Sequence, residues 1–546
     1  MTVKGDNEQR ASSASALRAT SALTPAVSAL RTRAPERRRQ IAGKTRGAMA
    51  RLPGRAALWY LGLVLGVAAL LRLWGIDDVG FNSDEAVYAG QAAAIASDPD
   101  LADIFPIFRA HPLLFQVILS LGFHLGIDGV AERIVSAAIG VATVYLVYEL
   151  GKLLYGWRAG IVAALLMALM PYHVVVTRQV LLDGPMTLCA TLVLYLLARF
   201  ALTERPRVLY AAGAALGLTF LAKETSILFL GAVYVFFALS WEVRLAMRDL
   251  AKATAIMALV IAAFPLTLAA AGGTRTGESY LAWQLSRLPN HDWTFYLLTA
   301  PAAIGPLVIA AALLGLWLLR RQFSWRETLL LTWIAVPTVF FLLWPVKGFQ
   351  YLLPIAPPLA VLAGRAISQW SPGAGPRTSA AATWACTAIV AVTLLIPTWE
   401  QLRPPSSTTL LAGSGGVPGG REAGEWLKRN IPEGSRLLTI GPSMANILQF
   451  YGHRKAYGLS VSPNPLRRNP SYEHLSNPDK LIATNELQYV VWDSYSAARA
   501  TRFADGILRY ADRYNGRVVH TQSVMGKAAD GSRRRLPVIV VYEVRP

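Results

Sequence analysis

The sequence predicts a polytopic α-helical membrane protein of about eleven spans, followed by a small extracytoplasmic α/β domain at the C-terminus. Three observations predict it. Of 546 residues, 54% are hydrophobic and only 16% charged, with a mean hydropathy of +0.38. The apolar residues fall in largely uninterrupted blocks of about 17–22 residues, the length that crosses a bilayer core. A β-barrel would show short alternating segments instead. Beyond residue 397 the blocks stop and short mixed elements begin.

The net charge of +20 could point to nucleic acid. Its distribution points elsewhere. Residues 1–55 hold twelve Lys/Arg against three Asp/Glu, a net +9. Much of the remainder sits in short loops between apolar blocks, where Lys and Arg mark the cytoplasmic side. No basic-aromatic nucleic-acid module is present. The two cysteines, Cys189 and Cys386, lie inside apolar blocks. They form neither a disulfide framework nor a metal cluster.

Residues 1–56 are rich in Ala, Ser, Arg and Thr without apolar periodicity, and read as a disordered basic cytoplasmic tail. Arg31, Arg33, Arg37, Arg38 and Arg39 could touch anionic headgroups. Met49 is an alternative start. The first span is 57–76, so Asp77 onward faces out. The next apolar block, 112–127, is short. If it crossed, Lys152, Arg199, Arg205, Arg244, Arg248, Arg320 and Arg321 would all lie outside, against the positive-inside rule. It therefore reads as a juxtamembrane or re-entrant helix on the outer face. Ten spans follow, at 130–150, 159–176, 185–201, 208–222, 226–241, 253–271, 301–319, 328–344, 351–370 and 380–397. An odd total places the C-terminus outside. The membrane domain is 57–400, with a Pro/Gly/Ser-rich linker at 401–420. The soluble domain is 421–546. Within it, 422–429 and 497–514 read as helices, and 436–440, 489–493, 518–524 and 538–544 as strands.

The outward loops hold the candidate chemistry. Asp84 and Glu85 stand where the chain leaves the lipid, with Tyr88 one turn later. A carboxylate there could take the proton of an acceptor hydroxyl. The plainer alternative is a pair of solvated acids. Asp183 follows Arg178, and either pairs with it at a helix start or acts as a second carboxylate beside Asp84. Together Asp84 and Asp183 could share a divalent metal, Mg or Mn. Lys347 and Tyr351 either snorkel at the interface or clamp a lipid phosphate. Lys223 can be read both ways. His111 and His291 complete the set, although His291 with Trp293 and Tyr296 also fits an interfacial aromatic belt.

These residues carry a family resemblance. Asp84-Glu85-x-x-Tyr88 after the first span, His111-Pro112-Leu113, Arg133 with Ser136, Arg178 with Asp183, and Lys347-x-x-x-Tyr351-Leu-x-Pro354 follow one another in order. Over roughly residues 57–400 the chain resembles the GT-C glycosyltransferases, in particular the protein O-mannosyltransferase and aminoarabinose transferase superfamily, glycosyltransferase family 39-like. The resemblance implies a GT-C fold and inverting transfer of a sugar from a polyprenyl-phosphate donor on the outer face. The acceptor would be a protein, polysaccharide or lipid. Asp84 would be the general base or metal-proximal carboxylate, Asp183 its partner, with Glu85 in support. Tyr88, His111, Arg178, Lys223, His291, Lys347 and Tyr351 would bind substrate, Lys347 nearest the donor phosphate. The chain departs from the pattern after His111-Pro112, where the second proline common in the superfamily is missing. It also lacks the Glu-Lys pair of the aminoarabinose branch, which argues against lipid A modification. Two other classes stay open: a lipid or sugar transporter or flippase, and a membrane-anchored glycan-binding protein.

Overall fold

Apolar helices build most of the described residues up to Leu402, and their lengths follow the apolar blocks. In the computed structural model, residues 54–107, 111–126, 129–270, 282–369, 376–403, 417–469, 472–527 and 531–546 are described. The expected disordered tail and most of the expected linker lie outside these residues. Residues Tyr60–Pro546 form one unit.

Helix α1 (Arg55–Leu73) is followed by α2 (Ser83–Ile95) and α3 (Leu114–His124). Next come α4 (Val130–Tyr155), α5 (Trp157–Leu169), α6 (Pro171–Thr177), α7 (Asp183–Thr203), α8 (Pro206–Ala222), α9 (Leu228–Leu239), α10 (Met247–Ile261) and α11 (Ala263–Ala270). The described membrane helices end with α12 (Phe295–Ile304), α13 (Pro306–Leu318), α14 (Trp325–Leu343), α15 (Ala356–Gln369) and α16 (Pro376–Leu402). Among the described residues, seven helical stretches are long and apolar enough to cross a membrane, or nine if each of two bent pairs is one span. The chain is therefore a multi-pass membrane protein. Segment 112–127 contains only the eleven-residue α3, too short to cross. At 17 residues, α8 is about 25 Å long.

The expected straight spans at 159–176 and 301–319 are both broken. The chain bends by 61° between α5 and α6 and by 94° between α12 and α13. The cause is local. Pro171 and Pro306 each start a new helix, where the missing N–H does no harm, and Gly305 adopts φ +101 to make the sharper turn.

Large apolar side chains such as Leu259 and Leu343 are left on the outside of the bundle. They suit a lipid solvent, which removes the cost of exposing them to water. The interior is one continuous apolar cluster. Where α4 meets α5 the backbones nearly touch: a Cβ on Gly151 would come within 2.9 Å of Gly160 Cα. Larger residues there would force the helices apart.

The C-terminal domain contains α17 (Gly420–Asn430), β1 (Arg436–Thr439), α18 (Pro442–Gly452), β2 (Lys455–Gly458), α19 (Pro478–Ala483), β3 (Tyr489–Asp493), α20 (Ser494–Arg499), α21 (Thr501–Arg513), β4 (Arg517–Lys527) and β5 (Arg533–Glu543). The sheet order is β2-β1-β3-β5-β4. Strands β1, β2 and β3 are parallel, whereas β5 runs antiparallel to both β3 and β4. Two apolar clusters include residues of this sheet and of the helices packed on it. The helix expected at 497–514 is interrupted at Ala500. Strand β2 and helix α18, which are not among the predicted elements, complete the parallel part.

Candidate active site

The site is built on the loop between α1 and α3. Asn82 starts α2 with a capping box: its Oδ1 accepts from the N–H groups of Asp84 (2.9 Å) and Glu85 (3.0 Å). Glu85 Oε2 accepts in return from the Asn82 N–H at 3.0 Å. Such a box satisfies N–H groups that a helix start otherwise leaves unpaired. Asn82 Nδ2 also donates to Gln179 Oε1 at 2.8 Å. The N-terminus of α2 is thereby tied to the segment between α6 and α7.

Glu85, expected among the catalytic carboxylates, is instead an anchor. Arg133 on α4 donates to it twice, Nε to Oε1 and Nη2 to Oε2, each at 2.8 Å. The Val180 N–H adds a third donor at 3.0 Å. Glu85 is only 1% exposed, so no oxygen remains for an acceptor. The rest of the Arg133 guanidinium donates to the carbonyls of Ile76, Val79 and Gly80.

Asp84 differs on every count. It is solvent-exposed, and no side chain among the described residues bonds to its carboxylate. Protein nevertheless crowds it from behind. Burial is the leading influence and pushes its carboxyl above the usual range, with Lys223 and then His111 pulling it back. The accessible surface governs what a substrate can touch, so Asp84 is the reachable carboxylate of the cluster.

Three other predicted residues, Lys223, His111 and Asp183, act electrostatically on it, and two more, Tyr351 and Tyr88, contact these. Lys223, just past α8, donates from Nζ to both oxygens of Asp183, at 2.8 and 2.9 Å. The same ammonium lies 4.8 Å from the centre of the Tyr351 ring. His111 Nδ1 meets Glu224 Oε2 at 2.8 Å, and its ring stands edge-on to Tyr88, 6.2 Å between centres. Glu224, next to Lys223 in the chain, is not among the residues predicted for the site. Nothing local signals its pairing with a histidine 113 positions away.

Three predicted residues are committed elsewhere. Arg178 does not pair with Asp183; it donates to the carbonyls of Leu71, Trp74 and Gly75 at the end of α1. Lys347 Nζ donates to the carbonyls of Phe341, Leu342 and Trp344, at 3.2, 3.0 and 3.0 Å. It caps α14, whose last carbonyls lack partners within the helix, and leaves no proton for a phosphate. His291 is exposed and stacks on Phe295, 4.2 Å between ring centres.

No group of three or more His, Cys, Asp or Glu among the described residues is arranged to hold a metal. The Lys223 ammonium faces both Asp183 oxygens.

Comparison with solved structures shows a shared fold. The chain is similar to ArnT from Cupriavidus metallidurans bound to undecaprenyl phosphate, at 15% identity and a TM-score of 0.67, over 88% of this chain and 98% of that one. It is also similar to the Archaeoglobus fulgidus oligosaccharyltransferase tethered to an acceptor peptide, at 13% identity and a TM-score of 0.55, over 89% and 74%. Within this fold, residues 110–267 match the family model for dolichyl-phosphate-mannose-protein mannosyltransferase. No curated protein matches the chain.

Proposed function

We propose that the protein is an inverting glycosyltransferase that moves a sugar from a polyprenyl phosphate to an acceptor at the outer face of the cytoplasmic membrane. One observation carries this reading: Asp84 alone among the site's four acids is exposed and unpaired, whereas Glu85, Asp183 and Glu224 all lie in ion pairs. The similar ArnT structure contains undecaprenyl phosphate, which supports a lipid-linked donor here. The acceptor is a hydroxyl of a protein, polysaccharide or lipid. The chain crosses the membrane eleven times, the nine apolar spans joined by α8 and the Glu224–Leu239 segment. Its N-terminus is cytoplasmic and its C-terminal domain extracytoplasmic.

In the reaction, the acceptor oxygen attacks the anomeric carbon from the face opposite the phosphate. The bond from that carbon to the phosphate oxygen breaks, and polyprenyl phosphate leaves with the electron pair. The acceptor proton passes to the Asp84 carboxylate. Lys223 takes the role first assigned to Lys347: it is the lysine that acts electrostatically on Asp84. Asp183 and Tyr351 fix its ammonium near the developing phosphate charge. His111, oriented by Glu224, faces the same space. This donor set fits an ammonium rather than Mg or Mn, and no step is routed through a metal.

The test is transfer from a polyprenyl-phosphate sugar in membranes containing the Asp84→Asn protein at normal levels. Loss of transfer is expected; retained transfer would remove Asp84 from this role. The two broken spans favour one competing reading, since transporters bind substrate at interrupted helices. Accumulation of substrate in proteoliposomes without a covalent product would support that reading instead.

A further inference from the structure

The C-terminal domain grips the loop that carries Asp84. Arg421 on α17 donates to Asp77 Oδ1 at 2.7 Å and to the Val79 carbonyl at 3.2 Å. Tyr451 on α18 accepts from the Phe81 N–H at 2.8 Å. Asn446, earlier on the same helix, donates from Nδ2 to Ser83 Oγ at 3.0 Å. At the far end of the loop, His453 Nδ1 meets Asp100 Oδ2 at 2.8 Å, and Lys455 donates to the Ile104 carbonyl at 3.3 Å.

Apolar packing follows the same path. Phe81 lies 5.0 Å from Phe450 and 6.0 Å from Tyr451, ring centre to ring centre. Phe450 is part of the loop's own buried cluster. The domain therefore completes the core of the loop rather than resting against it.

Of three successive residues of α2, the outer two then have different anchors. Ser83 is bonded to the domain, Asp84 is exposed, and Glu85 is bonded to α4. Side chains one residue apart on a helix point about 100° apart, so these directions are fixed together. The membrane helices hold α2 through Glu85 and Asn82. The domain holds the opposite side through Phe81 and Ser83. Releasing either side lets α2 roll about its axis, and Asp84 is the residue that such a roll displaces.

We propose that Tyr451 and Asn446 are positioning residues for Asp84, so that the C-terminal domain sets the geometry of the site without touching the reacting atoms. This rests on the glycosyltransferase reading for its consequence in rate, but its geometric part stands apart from it. A displacement of about 1 Å at a reacting group costs up to about a hundredfold in rate.

The experiment uses the full chain in lipid nanodiscs. In a background with Cys189→Ala and Cys386→Ala, Asp84→Cys reports the position of residue 84 through its labelling rate with a water-soluble maleimide, and His291→Cys serves as a control. Tyr451→Phe keeps the ring and removes the oxygen; Asn446→Ala cuts a different bond and covers the case in which the first variant misfolds. Each is expected to change the labelling rate at position 84 by more than about threefold, as local opening of the loop would, with the rate at position 291 unchanged. Asn446→Asp, which can accept from the Ser83 hydroxyl, is expected to restore the original rate. A smaller change at position 84 overturns the proposal, and so does an equal change at position 291, which would mean general loosening. In the otherwise native chain, transfer should lose kcat by about tenfold or more with the donor KM held within about twofold. If Asp84→Asn retains transfer, the base role fails while the labelling result still decides the positioning.

Discussion

The Lys223 ammonium stands 2.8 and 2.9 Å from the two oxygens of Asp183, forty positions away in the chain. Both residues are nearly inaccessible, at 6% and 2% exposure. Each charge in that setting is tolerable only because of the other. Replacing one partner leaves the second buried and uncompensated, which costs about 3–5 kcal/mol. Lys223→Met and Asp183→Leu should each lower stability by about that amount, and the double variant by less than either alone. Chemical unfolding of the purified protein in detergent measures all three.

Adjacent acids should behave oppositely. Glu85→Ala strands Arg133 and should destabilise the protein by about 3–5 kcal/mol. Asp84→Ala breaks no side-chain bond among the described residues and should leave stability at pH 7 undiminished or somewhat higher while removing activity. Thermal unfolding alongside a transfer assay separates the two. Equal destabilisation by both would contradict the assigned roles.

The raised Asp84 carboxyl sets a pH signature. A base works only when deprotonated, so the acid limb of the rate profile should lie above the usual Asp value of about 3.9. Stability runs the other way. A carboxyl whose folded pKa exceeds its unfolded one contributes stability that is full below the unfolded pKa. That stability is lost as pH rises through the folded value. Asp84→Asn should therefore raise the melting temperature at pH 7, and the gain should vanish as pH falls below the unfolded value. A gain that grows toward acid would reverse the sign and refute the shift.

Lys347 gives a fourth expectation. As a cap on α14, its replacement by Met should cost about 1–3 kcal/mol in stability and leave the donor KM within about twofold. A large rise in KM would return it to the donor phosphate.

Much of the fold was legible because lipid imposes simple rules. Block length gave most of the long apolar helices, and the short 112–127 block holds only the eleven-residue α3 among its described residues. The breaks at Pro171 and Pro306 were visible as residues, but the size of each bend depends on what the second helix packs against. The site was partly legible. Asp84 stood out by its place after the first span. Asn82-Ser83-Asp84-Glu85 also carries the capping-box spacing, which could have separated Glu85 from Asp84. Arg178 and Lys347 misled for one shared reason. A cation beside a span looks the same in sequence whether it meets a phosphate or the last carbonyls of a helix. The pairing of His111 with Glu224, and the docking of α18 on the loop, join distant parts of the chain and leave no local pattern.

Arg133 and Arg178 each gather three carbonyls, and all six lie between Leu71 and Gly80. The connector from α1 to α2 is thereby a spacer of set length, measured out by two side chains from elsewhere in the bundle. One residue more or less within it would turn α2 by about 100° and carry Asp84 away from Lys223 and His111. Variation in loop length across such proteins should collect after Ile95, and the stretch from Leu71 to Phe81 should keep its residue count even where its letters drift.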